Sequence, residues 1–143
     1  AAETGHLVLA TLHTPDSAGT VDRILDVFPA AQQPQIITQL SATLQGVISQ
    51  QLIPRLDKPG RVLATELLIG NQAVRNLIRE RKTHQLYSAI QMGGELGMRL
   101  MDDSLKEFYE SGIISYDDAI SRARDTDQIL SDSSLGKGPA SGR

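Results

Sequence analysis

What the sequence lacks already narrows its function. Among its 143 residues there is no cysteine and no tryptophan, and the remaining aromatic residues are two phenylalanines and three tyrosines. The lack of cysteine excludes disulfides and thiolate zinc sites, and it is typical of cytosolic proteins. The shortage of aromatic side chains argues against a platform on which nucleic-acid bases stack.

Charge and hydropathy are equally moderate. The 14 basic and 17 acidic residues leave a net charge of −3, so no overall electrostatic attraction to nucleic acid is expected. No apolar run approaches the roughly 20 residues that a membrane-spanning helix needs. Hydrophobic residues make up 40% of the chain, an ordinary share for a globular protein with a core of its own.

The stretch around which the chain is organised is TGHLVLATLHT, residues 4–14, which the pattern predicts as one buried β-strand. Its apolar core at residues 7–12 shows little alternation, which is typical of a strand covered on both faces in a parallel sheet. Polar side chains collect at its carboxyl end, the edge at which open α/β sheets bind ligands. His13 is therefore the first candidate site residue.

The second histidine of this stretch, His6, is expected to act separately from His13. An extended strand would hold the two side chains roughly 23 Å apart and on opposite faces, so they cannot ligate one metal ion. Local hydrogen bonds explain His6 more simply than a site does, whereas for His13 a site role is favoured. Elsewhere the sequence offers no metal-ligand cluster, no P-loop and no nucleophile elbow.

The rest of the first half reads as mixed helix and strand. Asp16 is expected to cap a helix that ends before Pro29, and a second helix is predicted over residues 33–49. An edge strand at residues 51–56 and a strand at residues 61–69 are predicted to pair as a β-hairpin.

The second half reads as helical from residue 72. Gly93, Gly94 and Gly97 are expected to break a long helical segment, because each glycine costs roughly 1 kcal/mol of helix stability. A capping box at Ser115 opens a last helix that runs to about residue 124. Periodicity is lost after that, and residues 125–143 are expected to form a disordered tail.

A second candidate lies on the first helix of that half, in the run AVRNLIRE at residues 73–80. Arg75 and Arg79 are four residues apart and so share one helix face, with Glu80 beside them for salt bridges. A solvated helix face accounts for such a run. A contact surface for a partner subunit is the more specific alternative.

Several motifs resemble those of a known family. AAETGHLVLATLHT, residues 1–14, resembles the histidine box of the secretion ATPases, which power type II and type IV secretion and type IV pili. AVRNLIRE resembles the AIRNLIRE motif of the pilus-retraction (PilT-type) subgroup, with Val74 in place of isoleucine. Residues 20–29 and 87–98 are similar to the same subgroup, so the resemblance covers about residues 1–124.

The resemblance implies an α/β fold and a division of the chain. Residues 1–70 would be the C-terminal part of a RecA-like P-loop ATPase core, and residues 71–124 a helical C-terminal region. The parent protein would be a cytoplasmic hexamer at the inner membrane. It would hydrolyse ATP with Mg²⁺ at subunit interfaces and depolymerise pilin beneath an inner-membrane platform protein, which is the basis of twitching motility.

The resemblance also implies roles for the two candidate sites. It places His13 near the γ-phosphate of ATP and puts His6 in the same box with a less certain role. The second motif is tied to retraction and to coupling between subunits. Its residues are Ala73, Val74, Arg75, Asn76, Leu77, Ile78, Arg79 and Glu80.

The chain is expected to be a fragment of that parent. It begins without an initiator methionine, and it lacks the P-loop, the acidic box and the Walker B carboxylate that the family carries upstream of the histidine box. Phosphoryl transfer needs the phosphates cradled and Mg²⁺ held. The chain alone is therefore expected to be inactive, to bind neither ATP nor Mg²⁺ tightly, and to expose a sheet edge prone to pairing.

Two other functions stay open at this point. The chain fits a non-catalytic module that binds the motor or its platform protein and regulates assembly. It also fits a pilus-assembly or secretion ATPase of the same superfamily, although the four-cysteine metal site typical of that branch is absent.

Overall fold

A computed structural model describes residues 1–130 as seven helices around one β-hairpin, which confirms the α/β class. Short 3-10 turns occur at Ala2–Thr4, Thr83–Gln85 and Gly94–Leu96. No helix in this range is long and apolar enough to cross a membrane. In chain order the elements are α1 (Ser17–Asp26), α2 (Gln33–Thr43), β1 (Gly46–Pro54), β2 (Arg61–Ile69), α3 (Gln72–Arg79), α4 (Leu86–Met92), α5 (Met101–Glu110), α6 (Tyr116–Arg122) and α7 (Thr126–Leu130).

The predicted hairpin is confirmed, but its first strand is longer than expected. β1 and β2 pair antiparallel from Gly46 opposite Ile69 to Pro54 opposite Arg61. The second helix accordingly ends at Thr43, so the prediction of a helix to residue 49 is wrong. The β-branched residues that follow gain more from pairing across the hairpin than from another helical turn.

Gly70, at the end of β2, allows the backbone to pass close to the segment that joins α2 to β1. A Cβ at Gly70 would collide with the carbonyl oxygen of Leu44, the C-cap of α2. The backbone N–H of Gly70 donates to the carbonyl of Gln45 at 2.8 Å. The end of the hairpin is thereby fastened to the end of α2.

The core consists of two clusters that meet along β2. The first lies between the hairpin and α1 to α4, and includes Leu68. The second lies between the hairpin and α5 to α7, and includes Ala64. Residues from both sides of the proposed boundary at residues 70 and 71 therefore pack together, while the division into two regions stays a prediction.

The buried strand predicted for residues 4–14 is not formed. Gly5 ends the first 3-10 turn at φ 88°, and residues 6–14 have no regular structure. Leu7 and Leu9 are 81% and 89% exposed. The prediction is wrong for the described structure because such a strand needs neighbours on its edges, and the sheet within residues 1–130 contains β1 and β2 alone.

The helical half follows the predictions up to its end. Gly93 ends α4 and Gly97 adopts φ 88°, which separates α4 from α5 as expected. The hydroxyl of Ser115 accepts a hydrogen bond from the Asp118 N–H and so caps α6. Helix α7 corrects the prediction of disorder for its five residues. The remainder of the predicted tail, residues 131–143, lies outside the described part of the chain.

Candidate functional site

His13 lies on the exposed turn that leads into α1. The carboxylate of Asp16 accepts from the Gly19 N–H at 2.7 Å and caps the helix, as predicted. The hydroxyls of Thr14 and Thr20 are 2.5 Å apart. The imidazole of His13 is exposed and has no hydrogen-bond or ion-pair partner among residues 1–130. The turn is thus fixed by its neighbours, while the side chain faces outward.

His6 is held by local hydrogen bonds. Its Nδ1 lies 3.0 Å from the hydroxyl of Thr4, which also donates to the carbonyl of Ala1 at 2.8 Å. Neither His6 nor His13 belongs to a group of three or more potential metal ligands within residues 1–130.

A groove separates the histidine-bearing segment from the hairpin. It has a volume of about 480 Å³. One side is lined by Val8, Ala10, Thr11, Leu12 and Thr14, the other by residues 46–50 of β1, and Thr20 and Ile24 of α1 also contribute. His13 does not line the groove. In the described part of the chain β1 has no strand on this edge. The groove therefore lies between a segment without regular structure and the strand β1, neither of which is paired along it.

The second motif divides into a buried face and an exposed face. Helix α3 is capped by the side chain of Asn71, which accepts from the Val74 N–H at 2.9 Å. Val74 and Ile78 are fully buried in the first cluster, as their spacing predicts. Arg75 is half-buried, because its Nε donates to Gly70 O at 2.8 Å and its Nη1 to Ala42 O at 2.6 Å. Arg75 therefore fastens α3 to the end of α2.

Arg79 and Glu80 remain on the surface. The Nη1 of Arg79 reaches the side chain of Asn76 at 3.3 Å. Glu80 does not pair with the arginines as expected. The helix ends there, the chain reverses at Arg81, and Glu80 bonds to Lys82 at 2.6 Å instead. This hydrogen bond holds the pKa of the Glu80 carboxyl below its usual value.

Two buried carboxylates were missed from the sequence, and Glu66 is the first. It is 4% exposed on the inner face of β2. Its Oε1 accepts from the Ser17 N–H at 2.8 Å, and its Oε2 accepts from the Met101 N–H at 3.4 Å. These are the first residues of α1 and α5, whose unpaired N–H groups and dipoles favour an anion. The alternation along β2 was a usable signal, because it puts residue 66 on the same face as Ala64 and Leu68.

Asp102 is the second missed carboxylate, 1% exposed in the first turn of α5. It accepts from the backbone N–H groups of Arg124 and Asp125 at 2.9 Å each, and from the Tyr87 hydroxyl at 3.1 Å. Burial and this carboxylate raise the pKa of the Tyr87 phenol. The signal in the sequence was an acidic residue between Met101 and Leu105 on the apolar stripe of α5.

The sequence is similar to those of known secretion and pilus proteins. Residues 1–93, which include His6, His13 and the second motif, match the family of type II/IV secretion system proteins. The chain is 52% identical over 124 residues to the type IV pilus retraction ATPase PilT of Pseudomonas aeruginosa, covering 87% of this chain and 36% of that protein. It is 49% identical over 129 residues to a twitching motility protein of Neisseria gonorrhoeae, covering 90% of this chain and 34% of that protein.

The structure agrees with the sequence similarity. It matches a crystal structure of the pilus retraction motor PilT with bound ADP at a TM-score of 0.75 and 49% identity, covering 86% of this chain and 34% of that one. The chain thus spans about a third of the length of the proteins that it matches.

Proposed function

The chain belongs to the type II/IV secretion system protein family, and we propose that it is the C-terminal part of an ATPase motor that powers type IV pilus retraction. The observation that carries this proposal is the 52% identity to a pilus retraction ATPase across 87% of the chain. The retention of the AVRNLIRE segment favours a retraction motor over an assembly or secretion ATPase.

In this proposal residues 6–14 become a paired strand of the complete ATPase core. The segment is apolar and unpaired in the described structure, and the groove beside β1 lies between two unpaired stretches of backbone. A further strand of the core would fill that groove and satisfy the backbone groups on both sides. Once residues 6–14 lie in that sheet, elements packed on its faces would cover Leu7 and Leu9.

His13 then lies at the carboxyl end of a central strand, near the γ-phosphate of ATP. The residues of this chain do not fit a complete nucleotide site by themselves. The sequence carries no P-loop, and residues 1–130 hold no cluster of three ligands for Mg²⁺. Because phosphoryl transfer needs both, we expect ATP and Mg²⁺ to bind only to the full-length protein.

The partners follow from the same proposal. The full-length protein would assemble as a cytoplasmic homo-hexamer and act on an inner-membrane platform protein. The exposed side of α3 would contribute to coupling between subunits. Arg79 suits this role better than Arg75, because Arg79 is exposed and bonds one side chain of its own helix. Arg75 is half-buried and its guanidinium is held by two backbone carbonyls.

The test is ATP turnover and pilus retraction by the full-length protein with three single substitutions. His13→Ala should lower turnover at least about tenfold, a loss of about 1.4 kcal/mol of transition-state stabilisation. Arg79→Ala should leave hydrolysis intact and abolish retraction. Arg61→Ala, the same change at an exposed residue of the hairpin, should alter neither. A full-length protein that neither binds nor hydrolyses ATP would contradict the proposal and favour a non-catalytic interaction module.

A further inference from the structure

Glu66 is linked by a hydrogen bond to the helix start that follows the His13-bearing turn. Asp16 and the contact between Thr14 and Thr20 fix that turn on the first residues of α1. The hydrogen bond from the Ser17 N–H to Glu66 then ties the start of α1 to β2, 49 residues away in the sequence. This bond therefore helps to fix the start of α1, and with it the turn that carries His13, relative to β2.

The other oxygen of the same carboxylate faces the helical half of the chain. It accepts from Met101, the first residue of α5. Just before α5, the backbone of Arg99 pairs with that of Leu67 in both directions, at 2.8 and 3.1 Å. Asp102, which follows Met101 in α5, accepts hydrogen bonds from the backbone N–H groups of Arg124 and Asp125. The link from His13 therefore extends through β2 to the last described helices.

A charged residue at this position needs a reason. Glu66 lies between Ala64 of the second cluster and Leu68 of the first, where an apolar side chain would continue the core. Burying a carboxylate there costs free energy unless its oxygens are paired. Both oxygens are paired, and both pairs are with the first N–H group of a helix. A carboxylate in this place fixes the relative positions of two helix starts, which an apolar side chain does not do.

We propose that Glu66 is a positioning residue that holds the His13-bearing turn in register with the start of α5, so that a change at His13 is transmitted to the helical region. This inference rests on the proposed function, which puts His13 beside the γ-phosphate. In this proposal Glu66 acts through the two helix starts and not by contact with ATP. Its loss should slow turnover without weakening the affinity for ATP.

The first variant is Glu66→Gln in the full-length protein, with Glu95→Gln as the matched control. Gln replaces one acceptor oxygen by an NH₂ group that cannot accept from a helix N-terminus, whereas the side chain of Glu95 is exposed. For Glu66→Gln we expect kcat to fall about tenfold with the KM for ATP within about twofold of wild type, the pattern of a positioning defect. The control should retain both values.

The second variant removes the donor and keeps the carboxylate. Ser17→Pro deletes the N–H that bonds to Glu66 and puts the ring Cδ in its place, so the carboxylate keeps its charge but is displaced from the start of α1. Position 17 is the first helical position, where the fixed φ of proline fits a helix. Asp16 already has the extended backbone, φ −146° and ψ 171°, that a residue before proline adopts. If both variants act through one hydrogen bond, the double variant should be no slower than the slower single variant.

Amide hydrogen exchange without nucleotide supplies a readout that does not depend on activity. In Glu66→Gln we expect faster exchange at residues 13–20 and at the start of α5, with α3 unchanged. Wild-type kcat and exchange in Glu66→Gln would overturn the proposal, as would additive losses in the double variant. Where Glu66→Gln does not fold, Ser17→Pro alone decides, by its kcat and by the amide exchange of residues 13–20 and the start of α5.

Failure of the proposed function is distinguished from failure of this inference by measurements on the wild-type protein and on His13→Ala. It appears as a wild-type full-length protein without ATP turnover, or as His13→Ala with an undiminished rate. Either result overturns the role of His13 on which this inference rests. If the wild-type protein hydrolyses ATP and His13→Ala lowers the rate, the Glu66 variants alone decide the inference.

Discussion

Arg81 is a non-glycine residue held in the left-handed backbone region, at φ 57°. It follows the C-cap of α3, where its N–H donates to Ile78 O at 3.1 Å and the Lys82 N–H donates to Leu77 O at 2.8 Å, the pairing of a Schellman motif. A side chain costs roughly 1–2 kcal/mol in this conformation, and glycine avoids that cost. Arg81→Gly should therefore raise the free energy of unfolding by about 1 kcal/mol in urea denaturation. Arg79→Gly, inside the same helix, should lower it by a similar amount.

For two buried serines, replacement by alanine is expected to affect stability differently. Ser17 Oγ has no hydrogen-bond partner within the described residues. Ser104 Oγ donates to Thr65 O at 2.7 Å and accepts from the Thr65 N–H at 3.3 Å. Ser17→Ala should leave stability equal or higher, since the hydroxyl is desolvated without compensation. Ser104→Ala should lower it by about 1–3 kcal/mol, because two backbone groups of Thr65 lose their partner. If urea denaturation showed equal losses in the free energy of unfolding for the two variants, the hydrogen bonding assigned to the two serines would be contradicted.

At the scale of elements, α7 depends on the buried carboxylate of α5. Asp102 accepts the backbone N–H groups that precede α7, and Ile129 of α7 is 1% exposed in the second cluster. Asp102→Asn turns an amide donor toward one of those N–H groups, so we expect a loss of about 1–3 kcal/mol in the free energy of unfolding. Amide exchange should accelerate over residues 123–130. Asp117→Asn, an exposed residue of α6, should change neither quantity.

The elements that the sequence predicts correctly are those decided by nearby residues. The caps at Asp16 and Ser115 and the break around Gly93 depend on partners within a few positions, and each is confirmed. The end of α2 was misplaced because pairing with β2 decides it. The role of Glu66 was missed because its donors are 49 and 35 residues away in the sequence. Local chemistry fixes helix starts, whereas long-range partners fix strands and buried charges.

At the scale of the whole molecule, apolar side chains are exposed on at least two surfaces within residues 1–130. One is the segment with Leu7 and Leu9. Another is the outer face of the hairpin, where Ile48, Leu52 and Leu63 are 63%, 59% and 44% exposed. Exposed apolar residues beside an unpaired strand edge favour association between chains. We therefore expect the isolated 143-residue chain to self-associate with rising concentration in sedimentation velocity.

A matched pair of substitutions locates that association. Leu52→Lys puts a charge on the outer face of the hairpin and should weaken self-association without loss of stability, because the side chain is 59% exposed. Leu56→Lys makes the same change beyond the end of β1, at a side chain that is 65% exposed, and should leave association as it is. In the full-length protein the unpaired backbone amides of residues 6–14 and of the free edge of β1 should be protected from exchange, since a further strand of the core would pair with both. An isolated chain that stays monomeric at the highest concentration tested would show that these surfaces do not drive pairing.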